Sequence, residues 1–412
     1  MTSRAPGPLH GLRVVDVSTS YAGPSATMYL ADLGADVIKV ERPGGDEARR
    51  WGPPFTGQDA AWFYSANRGK RSVVLDLTAA EGQALLHRML ERADVFVESM
   101  SRSALRRLDL APETIRTRYP RLVYCAISGF GLDGPDASLR GYDLIAQARS
   151  GLMSVTGEAG GAPQRIGTAV SDVVTGMVAA LAISAAVVRQ RETGAGELVD
   201  ASLLDADLAL MAPRIASYLA GEPEPRPSGG TDSVLSVYQA FPTADEAIVV
   251  AIGNDAIWRR FCAAIGLPEL AADPRLATND GRRAHRGRVV EAIGARLATR
   301  NSAHWLARLV EANVPASAIH GLSSVVADPH LRARGALLPV NGAETGPVMV
   351  VGPPWRLGSA PAVPDTVPRA GQHTREVLGE LGVPADDLER LLLKGVVAEP
   401  VPGARTASGG GA

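Results

Sequence analysis

Short apolar runs alternate with amphipathic stretches through the first 130 residues. The apolar runs are rich in β-branched residues and have the length of buried strands: LRVVDV (12–17), ADVIKVE (35–41), SVVLDL (72–77), ADVFVES (93–99) and RLVYCAISGF (121–130). Between them lie helical patterns such as PSATMYLADLG, which Gly34 ends, and AAEGQALLHRMLERA. Strands that alternate with helices predict an α/β fold, with a mostly parallel sheet covered by helices on both faces.

The pattern changes after residue 140. An Ala- and Gly-rich stretch from 141 to 209 predicts helices, and its most apolar run, 173–188, is shorter than the ~20 residues of a membrane span. We interpret that run as a buried core helix and expect no membrane partner. SVYQAF and AIVVAIG flank the turn PTADE and predict a hairpin, which amphipathic helices follow.

These patterns predict a discontinuous large domain and a smaller α+β domain. The predicted segments are the first part of the large domain (1–220), a linker (221–232), the small domain (233–330), a linker and return to the large domain (331–398) and a disordered tail (399–412).

Composition narrows the class of protein. The 412 residues carry 42 Lys plus Arg and 44 Asp plus Glu, a net charge of −2, which argues against a nucleic-acid partner. The two cysteines, Cys125 and Cys262, lie far apart, so neither a disulfide scaffold nor a thiolate zinc site is expected. Residues 1–12 hold no apolar run, so no secretory signal is expected. We therefore predict a cytoplasmic protein.

Several common catalytic motifs are missing from the sequence. The loop STSYAGPS after the first strand has one glycine where a dinucleotide-binding GxGxxG needs three. The histidines are scattered without HxxxH or HExxH spacing, and GxSxG does not occur. We expect no bound metal and no permanently bound cofactor.

The most suggestive local feature is GTAVSDVVTGM, residues 167–177, where Ser171 and Asp172 stand at the start of the apolar helix. One interpretation is that either side chain caps the helix. The other is that Asp172, held ionised by the helix dipole, acts as a covalent nucleophile. Spacing alone favours the cap.

Longer motifs point to a family. They are YAGPSATMYLADLGADVIKVERPGGDEAR, NRGKRSVVLDL, ADVFVES, PRLVYCAISGFGLDGP, RGYDLIAQARSGLMSVTGE, TAVSDVVTGM, TGAGELVDASLLDA, DPRLATND and GQHTREVLGELG. Nearly the whole chain resembles the family III CoA-transferases, the CaiB/BaiF-type superfamily of formyl-CoA and carnitine CoA-transferases that also contains α-methylacyl-CoA racemase. The resemblance implies a Rossmann-like large domain, an interlocked homodimer, and acyl-CoA and a small carboxylic acid as substrates.

By this resemblance Asp172 is the nucleophile that attacks the acyl-CoA carbonyl and then carries CoA as an aspartyl thioester. Asp143 matches a carboxylate that supports the transferase site, although it can equally be a polar cap. Racemases have His-Asp where this chain has Tyr142 and Asp143, and tyrosine is a poor substitute for the imidazole in proton transfer. Helix N-terminal amides and backbone amides of a closing loop are expected to stabilise the tetrahedral oxyanions.

The resemblance assigns CoA contacts position by position. They are Tyr21, Ala22, Arg42, Leu75, Asp76, Leu77, Thr78, Ser99, Met100, Ser101, Arg107 and Arg140. Ser99, Met100 and Ser101 replace the residues usual in the family, so contacts there differ chemically. Lys70 and Arg71 match the family string and are either CoA contacts or structural.

The motif GYDLIAQARSGLMSVTG most resembles the corresponding motif of family members that use succinyl-CoA with acids such as hydroxymethylglutarate, itaconate or citramalate. The Gly-Asn-x-His-Pro of those relatives is absent before VYQAF. Three functions stay open: a CoA-transferase, with succinyl-CoA as a candidate donor; an acyl-CoA racemase or epimerase; and a non-catalytic acyl-CoA-binding protein.

Overall fold

The computed structural model describes residues 7–342, 346–358 and 363–400. Numbered along the described chain, the strands are β1 (Arg13–Asp16), β2 (Asp36–Glu41), β3 (Phe55–Thr56), β4 (Asp59–Ala60), β5 (Lys70–Leu75), β6 (Val95–Glu98), β7 (Val123–Ser128), β8 (Leu198–Ser202), β9 (Tyr238–Phe241), β10 (Ile248–Ala251), β11 (Ala316–Ala318), β12 (Leu337–Gly342), β13 (Gly346–Val351) and β14 (Val397–Ala398). The α-helices are α1 (Ala22–Asp32), α2 (Ala61–Tyr64), α3 (Ala80–Leu90), α4 (Arg102–Arg107), α5 (Pro112–Arg118), α6 (Asp143–Arg149), α7 (Val170–Thr193), α8 (Leu203–Leu219), α9 (Asp255–Ile265), α10 (Pro268–Ala272), α11 (Asn279–Ala284), α12 (Arg286–Leu297), α13 (Ser302–Glu311), α14 (Leu322–Ala327), α15 (Pro329–Ala333), α16 (Thr374–Glu380) and α17 (Ala385–Leu393).

The largest sheet has the strand order β14-β5-β2-β1-β6-β7-β8. Every neighbouring pair in it is parallel except β14 with β5. Its central strands are buried on both faces, which explains why they read as continuous apolar runs. The predicted mostly parallel α/β fold is confirmed.

The order of the strands fixes where a ligand can bind. From β1 the chain builds outward through β2 and β5, then returns and builds in the other direction through β6, β7 and β8. This is the order of doubly wound sheets, and the reversal lies between β1 and β6. In such sheets ligands bind in the crevice outside the carboxyl ends of the strands at the reversal.

Contacts divide the chain into two units, and their bounds differ from the predicted ones. The first unit comprises the described residues through Ser150, then Ile166–Ile215, and those from His330 onward; the second comprises Gly151–Arg165 and Ala216–Pro329. Residues 151–165 and 216–220, expected in the large domain, thus belong to the second unit. The expected linker, 221–232, has no helix or strand, but the Gly229 N–H donates to the Gly157 carbonyl over 3.0 Å. That segment therefore packs within the second unit.

The second unit is built on an antiparallel sheet in the order β11-β10-β9. The predicted hairpin is confirmed, since β9 and β10 pair antiparallel. The amphipathic helices α9, α12 and α13 bury their apolar faces in a core that contains Trp258, Phe261, Ile293 and Trp305.

The C-terminal segment contributes the edge of the large sheet. Strand β14 pairs with β5, and the Val74 N–H donates to the Thr374 hydroxyl of α16 over 3.2 Å. The disordered tail was predicted to begin at Glu399, but this carboxylate is paired with Arg375 at 2.9 Å. The prediction is wrong for that residue; residues 401–412 lie outside the described part of the chain.

Helix α7 is the long apolar helix predicted from 173–188, extended at both ends. It packs against α1, β7 and β8. Among the described residues it is the one helix long and apolar enough to span a membrane, and 44% of its apolar stretch is buried. It ends at Gly194, whose φ of 73° favours glycine.

Candidate active site

The residues predicted to contact CoA collect at one edge of the large sheet. Because β1, β2, β5 and β6 are parallel, their carboxyl ends lie at the same edge. Tyr21 follows β1, Arg42 follows β2, Leu75 ends β5 and Ser99 follows β6. The fold thus brings four segments that are far apart in sequence to the carboxyl edge of the sheet, and those after β1 and β6 lie where the strand order reverses.

The loop after β1 is held by buried hydrogen bonds. Asp16 accepts from the Ser18 N–H over 2.9 Å, and Lys39 donates to the Ser18 carbonyl over 3.0 Å. The Thr19 N–H donates to the Ser99 hydroxyl over 3.0 Å, which joins this loop to the one after β6. Tyr21 immediately precedes α1, and Ala22 is its buried first residue.

The segments after β2 and β5 present different groups. The Arg42 side chain is 56% exposed and pairs with Glu47 at 2.8 Å. Leu75 is fully buried, so the predicted contact cannot come from its side chain and is limited to its backbone. Asp76 accepts hydrogen bonds from the backbone N–H and hydroxyl of Thr78, at 2.9 and 2.7 Å, while Leu77 is half-buried.

The segment after β6 is shaped by Glu98 and Ser101. Glu98 accepts from the Met100 N–H over 2.6 Å, and Ser101 caps α4 by accepting from the Ala104 N–H over 3.3 Å. Arg107, in the last turn of α4, is exposed.

Two predicted residues lie beyond β7. Arg140 is exposed, and neither it nor Arg107 has an ion-pair partner in the described part of the chain. Tyr142 precedes α6 and is 63% exposed, so its hydroxyl is not a buried acid or base.

Lys70 and Arg71 have structural partners. The Lys70 ammonium is buried and donates to the Pro24 carbonyl over 2.7 Å and to Asp16 over 3.1 Å. Arg71 pairs with Asp36 at 2.6 Å and with two glutamates of α16. Both side chains therefore link secondary-structure elements instead of facing a ligand.

Asp172 lies in the first turn of α7, and the expected helix cap is absent. The residue before the helix is Ala169, and no side chain caps it. The Asp172 carboxylate accepts no hydrogen bond from the described residues, so its oxygens are available to a substrate.

Ser171 instead ties two other carboxylates to this turn. Its N–H donates to Asp143 Oδ1 over 2.9 Å, and its hydroxyl donates to Asp207 Oδ2 over 2.8 Å. Asp143 also accepts from the amide of Gln147 over 2.7 Å. The structure therefore links Asp143 to the turn that carries Asp172 through Ser171, and the supporting role of Asp143 stays a prediction.

Asp207 and Gln147 were missed from the sequence. Asp207 is fully buried on α8, and its Oδ1 has no hydrogen-bond partner among the described residues. The signal was an aspartate within the otherwise apolar ADLAL, a position where a carboxylate is costly to bury.

Burial and the neighbouring carboxylates raise the pKa of Asp172 to about 7. Loss of solvent is the largest cause, and the negative charges of Asp143 and Asp207 act in the same direction. The expectation that the helix dipole holds this group ionised is wrong, because desolvation outweighs a dipole effect of ~0.3–1 kcal/mol. A carboxyl group with such a pKa is half ionised at neutral pH.

The position of Asp172 depends on a close crossing of α7 with α1. A Cβ at Gly176 would lie 2.0 Å from the Ser25 hydroxyl and 2.9 Å from the Ala22 carbonyl oxygen. Only glycine allows this approach, which brings the start of α7 next to the loop that carries Tyr21. The charge of Asp172 contributes to the raised pKa of Tyr21, after the larger effect of burial.

The part of the chain that the structure describes holds no group of three or more His, Cys, Asp or Glu side chains arranged to bind a metal ion. The three aspartates around Ser171 are called the acidic cluster below.

Comparison with known proteins decides the family. The sequence model of CoA-transferase family III matches residues 9–374. The chain belongs to CoA-transferase family III. It is 39% identical to a succinate–glutarate CoA-transferase of Agrobacterium fabrum, over 92% of this chain and 97% of that protein. It is 36% identical to the human succinyl-CoA:glutarate CoA-transferase, over 95% of this chain and 90% of that protein.

Solved structures agree with this assignment. A CaiB/BaiF family protein from Brucella suis is similar with a TM-score of 0.81 at 36% identity, covering 91% of this chain and all of that chain. This family III member is therefore a CoA-transferase, and CoA thioesters are its substrates.

Proposed function

We propose that the enzyme transfers CoA from succinyl-CoA to a dicarboxylic acid through a covalent intermediate on Asp172. The observation that carries this proposal is the carboxylate of Asp172, which lacks hydrogen-bond partners in the described chain and stands in the first turn of α7. The relatives named as succinyl-CoA:glutarate CoA-transferases support the donor and the acceptor class.

In the first half of the reaction, an Asp172 oxygen attacks the thioester carbonyl of succinyl-CoA and CoA leaves as the thiolate. The thiolate then attacks the Asp172 carbonyl of the mixed anhydride, which forms the aspartyl-CoA thioester and releases succinate. In the second half, the acceptor carboxylate attacks this thioester and the thiolate leaves. The thiolate then attacks the acceptor carbonyl, giving the new acyl-CoA and free Asp172. Covalent catalysis splits one difficult exchange into easier steps without an added metal or cofactor.

Three backbone N–H groups at the start of α7 already have partners within the protein. The N–H groups of Val170, Ser171 and Val173 already donate to Thr168, Asp143 and Ala169, at 2.9, 2.9 and 3.0 Å. These three amides are therefore engaged in the free enzyme, and stabilisation by other helix N-terminal amides and by backbone amides of a closing loop stays a prediction. The Tyr21 hydroxyl is proposed as a further donor, because the charge of Asp172 contributes to the raised pKa of Tyr21.

The loops at the carboxyl ends of β1, β2, β5 and β6 are the proposed CoA contacts. Arg42 has the exposure that a phosphate contact needs, and the carboxyl edge of the sheet places it with Tyr21 and Ser99. Arginine can hold a phosphate through two parallel hydrogen bonds.

Trapping of the intermediate tests the role of Asp172. The enzyme is incubated with succinyl-CoA and then with hydroxylamine, and its peptides are analysed by mass spectrometry. We expect a hydroxamate at Asp172, no turnover by Asp172→Ala, and unchanged turnover by the exposed control Asp386→Ala. An active wild-type enzyme without an adduct, or an active Asp172→Ala, would contradict the proposal.

We also propose an interlocked homodimer in the cytoplasm. An apolar stripe on α7 that includes Leu181 and Val188 is exposed, 72% and 59%, and a second copy of the chain is its proposed cover. The two cysteines are buried and unpaired, which suits a reducing compartment. Light scattering of Leu181→Glu should show a monomer if the stripe forms the interface; an unchanged dimer would contradict that assignment.

A further inference from the structure

A cavity of about 450 Å³ is lined by residues of the first unit. One wall carries Tyr21, together with Val173 and Met177 from the first turns of α7. Val173 directly follows Asp172, the proposed nucleophile, in the first turn of α7. An acyl group attached to Asp172 would have apolar contacts available here.

Another part of the cavity wall carries two guanidinium groups. Arg334 follows α15 and Arg356 follows β13, and both side chains are exposed and line the cavity. Neither has an ion-pair partner in the described ranges 7–342, 346–358 and 363–400. Two cations of the same sign beside one cavity, without a carboxylate to neutralise them, favour an anionic ligand.

The segments that carry these arginines are fixed to each other and to α1. The Gly352 N–H donates to the Ala336 carbonyl over 2.9 Å, which joins the two segments. Arg68 pairs with Asp32 of α1 and donates to the Val351 carbonyl over 3.0 Å. These contacts hold the two segments that carry the arginines in fixed positions.

An aromatic contact adds to the support of this wall. Trp355 packs edge-on against Tyr29 of α1, with ring centroids 5.2 Å apart. The residue before Arg356 is thus anchored to the helix that α7 crosses.

We propose that Arg334 and Arg356 bind the distal carboxylate of a dicarboxylic acyl group whose other end reacts at Asp172. This inference rests on the proposed function. The acidic cluster around Asp172 repels a second negative charge, so a diacid is favoured only if its far end meets cations. A monocarboxylic acid gains nothing from the two arginines, which makes them determinants of substrate class.

The test compares acceptors of equal length with and without the distal carboxylate. Arg334→Gln, Arg356→Gln and the control Arg116→Gln, an exposed residue of α5, are assayed with succinyl-CoA at saturation. Glutarate is the diacid, and pentanoate is assayed both as acceptor and as competitive inhibitor. We expect kcat/KM for glutarate to fall roughly ten- to hundredfold in each cavity variant, since charge-assisted bonds are lost. The inhibition constant of pentanoate and all values for Arg116→Gln should stay within about twofold of the wild type.

Equal losses for both acids, or no loss for glutarate, would overturn the proposal. A weaker affinity for free CoA with an unchanged preference for glutarate would also overturn it, because the arginines would then serve a CoA phosphate. Arg334→Lys and Arg356→Lys keep the charge and should retain part of the glutarate activity if folding is intact.

Hydroxylamine trapping separates this inference from the proposed function. An Asp172 adduct in variants that have lost no preference for glutarate refutes only the arginine assignment. The absence of an adduct in the wild type refutes the proposed function itself.

Discussion

The raised pKa of Asp172 makes a quantitative prediction about the pH dependence of CoA transfer. The nucleophile must be ionised to attack, so kcat/KM should fall as the pH drops below the pKa of about 7. For one such group the ionised fraction is about 9% at pH 6 and about 91% at pH 8, which gives roughly a tenfold difference in rate. An aspartate with the ordinary value of 3.8 would be fully ionised at both pH values and would give no difference.

The assay measures initial rates of CoA transfer from succinyl-CoA to glutarate between pH 5.5 and 9, with folding followed by circular dichroism. Asp207→Asn tests whether Asp172 is the group that produces the acidic limb of the profile, because the charge of Asp207 contributes to the raised pKa of Asp172. Asparagine can still accept the hydrogen bond from the Ser171 hydroxyl, while its new N–H₂ takes the place of the unpartnered Oδ1. We expect the acidic limb to move about 0.5–1 unit to lower pH.

Asp205→Asn is the matched control, on the same helix and bonded to Ser202. Its acidic limb should coincide with that of the wild type. Titration of substrate groups affects all three proteins equally, so only the difference between variants counts. A flat profile from pH 6 to 8 in the wild type would refute the reasoning about Asp172. An unmoved limb in a folded Asp207→Asn would refute the role of Asp207.

Three further predictions concern stability. Gly176→Ala should lower the free energy of unfolding by about 1–3 kcal/mol and reduce turnover, because the new Cβ would clash with the Ser25 hydroxyl. In a double-mutant cycle, Ser25→Ala should restore part of that stability. Additive losses would contradict the predicted clash. Arg68→Met leaves the buried Asp32 unpaired and should lower the free energy of unfolding by about 3–5 kcal/mol in chemical denaturation. Arg375→Met removes a surface ion pair and should leave the denaturation midpoint unchanged. Similar effects of the two substitutions would show that burial of the ion pair does not determine the loss of stability. Burial raises the pKa of Glu98 to about 7, so the folded protein binds more protons than the unfolded chain between pH 4.5 and 7. The free energy of unfolding of the wild type should therefore fall as the pH rises through this range, and Glu98→Gln should reduce that fall. Parallel curves of stability against pH for the two proteins would contradict the assignment to Glu98.

The large sheet was predictable because its strands carry their own signal. A strand buried on both faces must be apolar along its length, so β6 and β7 could be identified without any knowledge of their neighbours. The boundaries of the two units were harder to predict from the sequence. Residues 151–165 belong to the second unit through contacts such as that of Gly157 with Gly229, and no local pattern encodes such a pairing.

The site was predictable only where a motif carried it. The resemblance placed Asp172 and Asp143, and the fold joins them through Ser171. Spacing alone predicted that Ser171 or Asp172 caps the helix, because Ser and Asp at the start of a helix usually serve that role. Asp207 and the two arginines of the cavity come from distant segments, and their chemistry depends on burial and on missing partners that a sequence does not display.

The acidic cluster has a consequence for the proposed chemistry. A carboxylate with a low pKa is fully ionised but weakly nucleophilic, and it leaves readily from an anhydride. A carboxyl group with a pKa of about 7 is a stronger nucleophile that is still ionised in half of the molecules at neutral pH. In the mixed anhydride it is also the poorer leaving group, because succinate is the weaker base of the two carboxylates. Attack of the CoA thiolate at the Asp172 carbonyl then expels succinate. Attack at the succinyl carbonyl would have to expel Asp172. Buried Asp207 and Asp143 would therefore favour the aspartyl-CoA thioester when the anhydride with succinate breaks down, and they would oppose the last step, in which Asp172 has to leave from the anhydride with the acceptor.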